Sequence, residues 1–445
     1  MNEVNVLNEE KIKRYDFTRK PKRLSKFWIF LADLVAVRPT LRGFDLKIDK
    51  VNMEGLKPPY LLLASHASEM DFAVMYKATD PYRRMNPVCA IDAIRDHGDW
   101  LMRNLGCICK RKFIKDFNLI RNMRYCAKEF GDIVCLFPEA RYTLDGCESY
   151  IPDSVGKMCK LLKIPVVTLK MEGNFIIGPQ WNKTRQKLPL HAVITQIVTA
   201  NEIDSIDVAE VNRRIRDGLK RDDFRYQKEN GIENNYSRRA EGLEHILYRC
   251  PHCGKEFEMH SHGTEIWCDN CKKHWEMTNL GQLEAKDGET EFAHIPDWFN
   301  WERACVREEV RNGTYRFEDE VTVHTLPNAI RFYDNGVGKL VQTCEKTVLE
   351  CTAYGKPFKL ELAAIELESM HIEYDYPFEK KKYKKNCFGD CVDISTADDS
   401  FWLHPINKRL QLTKLSFATE EIHFLAQERI RNASASRVEK DEKQK

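Results

Sequence analysis

The chain has 445 residues and a formal net charge of +2, with 70 Lys and Arg against 68 Asp and Glu. A chain of this length is expected to hold two or three domains, because one core seldom grows past about 250 to 300 residues. The charge balance excludes a globally basic nucleic-acid-binding protein, so any basic site has to be local. The 16 cysteines stand in metal-like spacing or singly in apolar contexts, which predicts the reducing cytoplasm rather than a disulfide framework.

Residues 1–45 form a basic and apolar N-terminal segment. The stretch "RKPKRLSK" leads into "KFWIFLADLVAV", whose apolar run begins at Phe27 and contains Asp33. The run is too short for a bilayer span, which needs about 20 apolar residues, and no signal-peptide cleavage pattern follows it. The basic lead-in and the aromatic residues predict a helix on an anionic membrane surface, peripheral at the inner face of the membrane. A core helix with a solvated basic lead-in is the alternative.

A histidine and an aspartate follow an apolar run in "LLLASHASEMDF", residues 61–72. Residues five apart lie about 140° apart around a helix, so one regular helix cannot bring His66 and Asp71 together. A strand over residues 60–64, a turn at His66 and a helix that begins at Asp71 would allow a hydrogen bond between them. That bond would fix the imidazole tautomer and make the other ring nitrogen a better general base. Two unrelated polar residues are the alternative.

Residues 46–235 predict an α/β domain with a mixed sheet flanked by helices, because buried-strand patterns alternate with amphipathic ones. The stretches "IVCLF", "IPVVTL" and "LHAVITQIV" are typical of strands. The stretches "NLIRNMRYCAKEF", "SVGKMCKLL" and "DVAEVNRRIRDGLKR" are typical of helices. Residues 222–237 are polar and turn-rich, which predicts a linker.

Two Cys-x-x-Cys pairs lie within residues 246–285, with fourteen residues between them. Each pair can supply two thiolates from one turn, and four thiolates complete the tetrahedral shell of a zinc ion. The pattern predicts a small ribbon with a structural Zn²⁺ site, which leaves no position for a catalytic water. Free thiols or disulfides are the alternative. The predicted ligands are Cys250, Cys253, Cys268 and Cys271.

Residues 295–432 show alternating strand patterns with turn signals, which predict a β-rich domain. The stretch "TEEIHFLAQERIR" predicts its C-terminal helix, with Thr419 as the N-cap. Residues 433–445 predict a disordered tail. The alternation resembles pleckstrin-homology (PH) or GRAM-like modules, which are half-open barrels closed by a helix. The lysine-rich "EKKKYKKN" predicts a solvated loop, with a contact to anionic lipid as the alternative.

Four segments in the first half of the chain occur in a fixed order: "HASEMD", "GCICKR", "FPEARYT" and "IPVVTL". Together they resemble the glycerophosphate and lysophosphatidate acyltransferases, which carry HxxxxD, a block ending in arginine, an FPEG-type block and a proline-containing apolar block. HxxxxD alone is a weak signal, whereas the ordered set of four is much more specific. The resemblance implies that His66 is the general base and that Asp71 orients it. It also implies that Arg111, Glu139 and Arg141 bind the substrate.

The chain departs from the family in the FPEG-type block. Ala140 stands where the family has glycine, Arg141 comes one place early, and Tyr142 stands where the family has arginine. Lys110 also replaces a commoner acidic residue. Either the turn is rearranged so that Arg141 still reaches an acceptor phosphate, or the acceptor differs from lysophosphatidate.

The resemblance therefore implies an acyltransferase of phospholipid biosynthesis. It would move a fatty acyl group from acyl-CoA or acyl carrier protein to the hydroxyl of a lysophospholipid that resembles 1-acyl-glycerol-3-phosphate. The alternatives are a different acceptor and a non-catalytic lipid-binding protein on the same fold. A nucleic-acid-binding ribbon is a third, but the ribbon has little excess positive charge, so no nucleic-acid partner is expected. The expected partners are the acceptor lipid, the acyl donor and a membrane surface.

Overall fold

The computed structural model describes residues 12–182, 185–374 and 389–443, with side chains described up to residue 434. The predicted loop "EKKKYKKN" lies outside the described residues. The chain forms a mixed α/β unit, then a small antiparallel sheet that carries four cysteines, and then a β-rich unit with a C-terminal helix. These three features of the predicted fold are confirmed.

A seven-stranded sheet forms the centre of the first unit. Its strands are β1 (Leu46–Val51), β2 (Leu61–Ala64), β3 (Met85–Ala90), β4 (Ile108–Lys110), β5 (Ile133–Leu136), β6 (Val166–Glu172) and β7 (Leu190–Val198). They lie in the order β1-β7-β6-β2-β5-β3-β4. Neighbouring strands are parallel except β6 and β7, which are antiparallel. All four side chains of the central strand β2 are buried, as expected where both faces of a parallel sheet are covered.

Helices flank this sheet. They are α1 (Lys26–Ala32), α2 (Arg38–Leu41), α3 (Asp71–Ala78), α4 (Ile91–His97), α5 (Asp99–Asn104), α6 (Phe117–Tyr125), α7 (Ser154–Leu162), α8 (Asn174–Ile177), α9 (Val208–Leu219) and α10 (Asp223–Glu229). The π-helical turns Asp33–Val37 and Cys126–Phe130 continue α1 and α6. Helix α10 lies where the sequence predicts a linker. That prediction is wrong, because Asp222 caps the helix through the Arg225 amide and Phe224 is buried in the core.

The small sheet follows, and we call it the ribbon. Its strands are β8 (Met259–His262), β9 (Glu265–Cys268), β10 (His274–Met277) and β11 (Leu283–Ala285), in the order β11-β10-β9-β8. A 3₁₀ turn, Leu243–His245, precedes it, and helix α11 (Ile295–Arg311) follows it. The sequence predicts strands from residue 295, so this helix corrects the prediction. Ile295, Trp298, Val306 and Val310 are buried at helical spacing, and this burial holds α11 in place.

The last unit is one antiparallel sheet and a long helix, which we call the β-rich unit. Its strands are β12 (Arg316–Thr325), β13 (Tyr333–Thr343), β14 (Lys346–Ala353), β15 (Lys356–Ala363), β16 (His371–Glu373), β17 (Cys391–Ser395) and β18 (Ser400–Pro405). The order is β15-β14-β13-β12-β18-β17-β16. A 3₁₀ turn, Arg409–Gln411, leads into helix α12 (Leu412–Lys443).

Helix α12 is longer than predicted at both ends. Thr419 is not an N-cap but lies inside the helix, where its hydroxyl donates to the Leu415 carbonyl at 2.8 Å. The helix begins at Leu412 because Leu412, Leu415 and Ala418 are buried against the rest of the molecule. The backbone is helical through Lys443, across most of the segment 433–445 predicted to be a disordered tail. That segment contains neither glycine nor proline, so nothing in it breaks the helix.

One hydrophobic core runs through all three units. Its buried members include Leu62 of β2, Trp275 of β10 and Phe317 of β12. Helix α11 joins the ribbon to α12, since Trp298 meets Trp275 edge-on at 5.1 Å and Phe299 meets Phe417 at 4.6 Å. The β-rich unit is therefore packed against the first unit and the ribbon rather than tethered to them.

Candidate active site

His66 and Asp71 lie beside each other at the carboxyl end of β2. The strand ends at Ala64, a turn follows, and Asp71 begins α3. The Asp71 carboxylate accepts a hydrogen bond from His66 Nδ1 at 2.8 Å and from the amides of Ala67 and Ser68 at 2.7 and 3.1 Å. Its other oxygen accepts from the Asn174 amide at 2.8 Å. These donors hold a carboxylate that is only 1% exposed.

The His66 ring is held from both faces. Phe137 stacks on one side with ring centroids 4.0 Å apart, and Tyr142 lies on it at the same centroid distance. The side chain is 20% exposed. Among the described residues, none forms a hydrogen bond with Nε2. Because Nδ1–H donates to Asp71, the neutral ring carries its lone pair on Nε2, which is the arrangement of a general base.

Glu139 supports the turn that carries His66. Its buried carboxylate accepts from the guanidinium of Arg221 at 2.7 and 3.1 Å, from the His66 amide at 3.2 Å and from the Ser149 amide at 2.8 Å. Arg221 also donates to the His66 carbonyl at 3.3 Å. Glu139 thus holds the His66 amide directly and the His66 carbonyl through Arg221.

Arg221 is a site residue that the sequence does not reveal. It stands in a run of charged residues after α9, and its carboxylate partner is 82 positions away. No motif in the sequence links the two. Both side chains are fully buried, and burial holds such charges in the folded state only because they pair with each other.

The turn after Glu139 places Ala140 in a left-handed backbone conformation. Ala140 has a φ of 55°, in the left-handed region, and its amide donates to the Phe137 carbonyl at 3.1 Å. Alanine tolerates this region at a small cost that glycine avoids. Ala140 therefore lies in a tight turn, and Tyr142, two residues later, packs on His66.

Arg111 is bonded to the β-rich unit. Its two terminal nitrogens donate to the carbonyls of Leu326, Pro327 and Asp398 at 3.0, 3.2 and 3.0 Å, and to the Ser400 hydroxyl at 2.9 Å. The residue is buried. The guanidinium is thus engaged by the loops that precede β13 and β18.

Arg141 is also bonded to the β-rich unit. It forms an ion pair with Glu420 of α12 at 2.6 Å and donates to the hydroxyls of Ser369 and Ser416 at 3.0 and 3.2 Å. Arg303 pairs with the same glutamate at 2.7 Å. The structure therefore brings His66, Asp71 and Glu139 together and commits Arg111 and Arg141 to the junction between units.

A cavity at this junction has a volume of about 590 Å³. Arg141, Ser149, Tyr150, Arg303 and Phe417 are in its wall. His66 is not among the described residues that line it.

The four predicted metal ligands lie together in the ribbon. Their sulfur atoms are all within 4.8 Å of one another, with Cys250 and Cys271 3.7 Å apart and Cys253 and Cys268 3.8 Å apart. Ligands of a tetrahedral zinc site with Zn–S bonds near 2.3 Å are about 3.8 Å apart. The cluster is therefore compatible with a closed, four-thiolate metal site.

The histidines around this cluster are engaged elsewhere. His252, His260, His262 and His274 each face a carboxylate at 3.1 to 3.3 Å. These contacts engage the histidines away from the four cysteines.

Helix α1 presents apolar side chains to solvent. Phe27 and Phe30 are 64% and 62% exposed, Val35 of the following turn is 61% exposed, and Trp100 of α5 is 69% exposed. Trp28 joins them, with its ring 5.6 Å from those of Phe27 and Trp100. We call these residues the α1 patch. No helix among the described residues combines the length and the apolar character needed to cross a bilayer.

The chain is similar to a solved structure. The chain aligns with the crystal structure of the 1-acyl-sn-glycerophosphate (LPA) acyltransferase PlsC from Thermotoga maritima, at 15% identity and a TM-score of 0.36. The alignment covers 44% of this chain and 79% of that chain. No family model and no curated protein sequence matches the chain.

Proposed function

We propose that the protein is an acyltransferase that joins a fatty acyl group to the hydroxyl of a lipid, with His66 as general base. The observation that carries this proposal is the 2.8 Å bond between His66 Nδ1 and Asp71, with Nε2 open beside it. An alcohol is a poor nucleophile at neutral pH, so its proton has to be removed as it attacks. The order of the four sequence blocks supports the same reaction.

In the proposed reaction, Nε2 takes the proton of the acceptor hydroxyl while the oxygen attacks the thioester carbonyl. The carbon–sulfur bond then breaks, and the departing thiolate takes the proton from the imidazolium. Asp71 stabilises the imidazolium and holds the ring, as the carboxylate does in a serine triad. Acyl-CoA and acyl carrier protein are the proposed donors. The products are an ester and a free thiol.

A non-catalytic lipid-binding role is the rival. The bonding of Asp71 favours turnover, because a fully bonded carboxylate aimed at one ring nitrogen orients a base. A protein that only bound lipid would gain nothing from fixing the tautomer of a partly exposed histidine. A PH- or GRAM-like role for the β-rich unit remains a prediction.

The test is acyl transfer by the purified chain beside His66→Ala. Both donors are offered, with lysophosphatidate and monoacylglycerol as acceptors in mixed micelles. We expect kcat to fall by about 10² to 10⁴ in His66→Ala, the usual contribution of a general base. His262→Ala, on the exposed edge of the ribbon, is the matched control and should retain full activity. Full transfer by a folded His66→Ala protein would refute the mechanism.

We further propose that the protein sits peripherally on an anionic membrane through the α1 patch. Lys20, Lys22, Arg23 and Lys26 precede or begin α1, and basic residues beside exposed aromatic ones suit an interfacial helix. This position would bring the dyad to the surface where lipid alcohols lie. A cytoplasmic location remains a prediction.

We propose Zn²⁺ as the ion of the four-cysteine cluster. Four thiolates select a soft ion with tetrahedral geometry and close its shell. The proposed role of the ion is to hold the ribbon and, through Trp275 and α11, the packing of the β-rich unit.

A further inference from the structure

Both arginines that the resemblance assigns to an acceptor phosphate are bound by the β-rich unit. Arg111 has all four of its terminal N–H groups directed at protein acceptors, and Arg141 pairs with Glu420. A phosphate monoester could reach them only by displacing buried partners, which leaves polar groups unsatisfied. Arg221 is neutralised by Glu139 in the same way.

Lys112, a further basic residue at this junction, is surrounded by carboxylates. Its ammonium lies 2.8 Å from Asp393, 3.3 Å from Asp92 and 3.9 Å from Glu373. Three carboxylates face this one lysine, so the cluster has no positive charge to offer an anion. We call Lys112, Asp92, Glu373 and Asp393 the acidic cluster.

The acidic cluster lies near the dyad through β16. The Tyr142 ring lies on His66, and Arg141, its neighbour in the chain, donates to the Met370 carbonyl at 3.4 Å. His371, the residue after Met370, lies 3.3 Å from Lys112.

An apolar cavity of about 320 Å³ reaches the acidic cluster. Most of its wall is apolar, with Phe113, Ile114, Leu360, Leu362 and Leu367 among the lining residues. Its polar lining residues are Glu366, Ser369, Asp393, Ser395 and Thr396. Apolar pockets of this size suit alkyl groups. An alkyl chain bound there would place its polar head beside carboxylates, and negative charge disfavours an anionic head.

We infer that the acceptor is a lipid alcohol whose head group carries no negative charge, with its alkyl chain in the apolar cavity and its head at the acidic cluster. This inference rests on the proposed function and names its substrate class. An uncharged glycerol head and a cationic amino-alcohol head share this chemistry, and the test separates them.

The test compares acceptors that differ in one group. These are 1-hexanoylglycerol, its 3-phosphate, and a hexyl-chain amino alcohol, all water-soluble and offered to the full chain with acyl-CoA. We expect kcat/KM for hexanoylglycerol to exceed that for its phosphate by at least about tenfold, the order of one uncompensated charge contact. A larger value for the amino alcohol would identify a cationic head. Equal or better use of the phosphate would overturn the inference.

A substitution tests the cause of this preference. Glu420→Gln removes the carboxylate that holds Arg141 and should raise use of the phosphate lipid relative to hexanoylglycerol several-fold. Glu421→Gln is the matched control, because Glu421 pairs with Arg303 and Arg307 rather than Arg141, and should leave the ratio unchanged. An unchanged ratio in a folded Glu420→Gln protein would contradict the idea that Glu420 keeps Arg141 from the acceptor phosphate.

Binding separates this inference from the proposed reaction. Calorimetric titration of His66→Ala with hexanoylglycerol and its phosphate needs no turnover. Tighter binding of the uncharged lipid supports the inference even if the wild type transfers no acyl group, in which case only the reaction fails. Tighter binding of the phosphate overturns the inference whatever the activity.

Discussion

Asp223 is a buried carboxyl group behind the dyad, and its titration should be visible in stability. Its oxygen accepts from the Gly173 amide, and burial raises its pKa to about 7 from a usual value of 3.8. Between those values the folded state binds more protons than the unfolded state. The free energy of unfolding contributed by this group is therefore fully present below about pH 4 and is lost as pH rises towards 7.

Asp223→Asn should remove that dependence, because the amide oxygen keeps an acceptor for Gly173 and does not ionise. As pH rises from 4.5 to 7.5, we expect the urea midpoint of the wild type to fall relative to that of the variant. Urea titrations at four pH values measure it. Asp217→Asn on the exposed face of α9 is the control, and a difference independent of pH would contradict the assignment.

At the residue scale the sequence predicts pairs of residues that lie close together in the chain better than it predicts hydrogen bonds between distant segments. The spacing of His66 and Asp71 excluded one regular helix, and a strand, a turn and a helix between them allowed the hydrogen bond that the structure shows. The clustering of the four cysteines was likewise predictable from the spacing of two local turns. The partners of Arg111 and Arg141 lie more than 200 positions away, so no local pattern contains them.

At the element scale, the α1 patch makes a prediction about membrane binding. Phe27→Asp with Phe30→Asp should weaken sedimentation with vesicles that contain phosphatidylglycerol by at least about tenfold, since burying one phenylalanine contributes about 1.5–3 kcal/mol. Both side chains are exposed, so folding should be unaffected. Val337→Asp on β13 replaces an equally exposed residue and should bind like wild type. Undiminished binding of the double variant would show that the patch is not the contact.

Helices α10 and α11 show why some elements were missed. Polar, turn-rich composition suggested a linker at α10. At α11 the alternating strand pattern that follows was extended back to residue 295. The signal was present in the spacing of Trp298, Val306 and Val310, which repeats at helical intervals. Asp222 likewise stands as an N-cap before α10. Periodicity and capping were more informative there than polarity.

At the scale of the whole molecule, the ribbon, α11 and α12 act as one support for the dyad's surroundings. The Trp298 indole donates to the Arg249 carbonyl at 2.9 Å, and Thr413 of α12 donates to the His245 carbonyl at 2.6 Å. Helix α12 also carries Glu420, which holds Arg141. A structural change in the ribbon should therefore be transmitted to the first unit through the packing of α11 and α12.

Removal of the proposed zinc tests this coupling. We expect one zinc per chain in the purified protein and a fall in Tm of several degrees after treatment with a strong chelator, because binding free energy at such sites is folding free energy. Cys268→Ser should give the same loss of zinc and stability, whereas Cys351→Ser on β14, outside the cluster, should keep both. Restored zinc should restore the Tm of the chelated protein. If the zinc-free protein kept its Tm but lost acyl transfer, the ion would belong to the chemistry, and a closed shell of four thiolates would have to be abandoned.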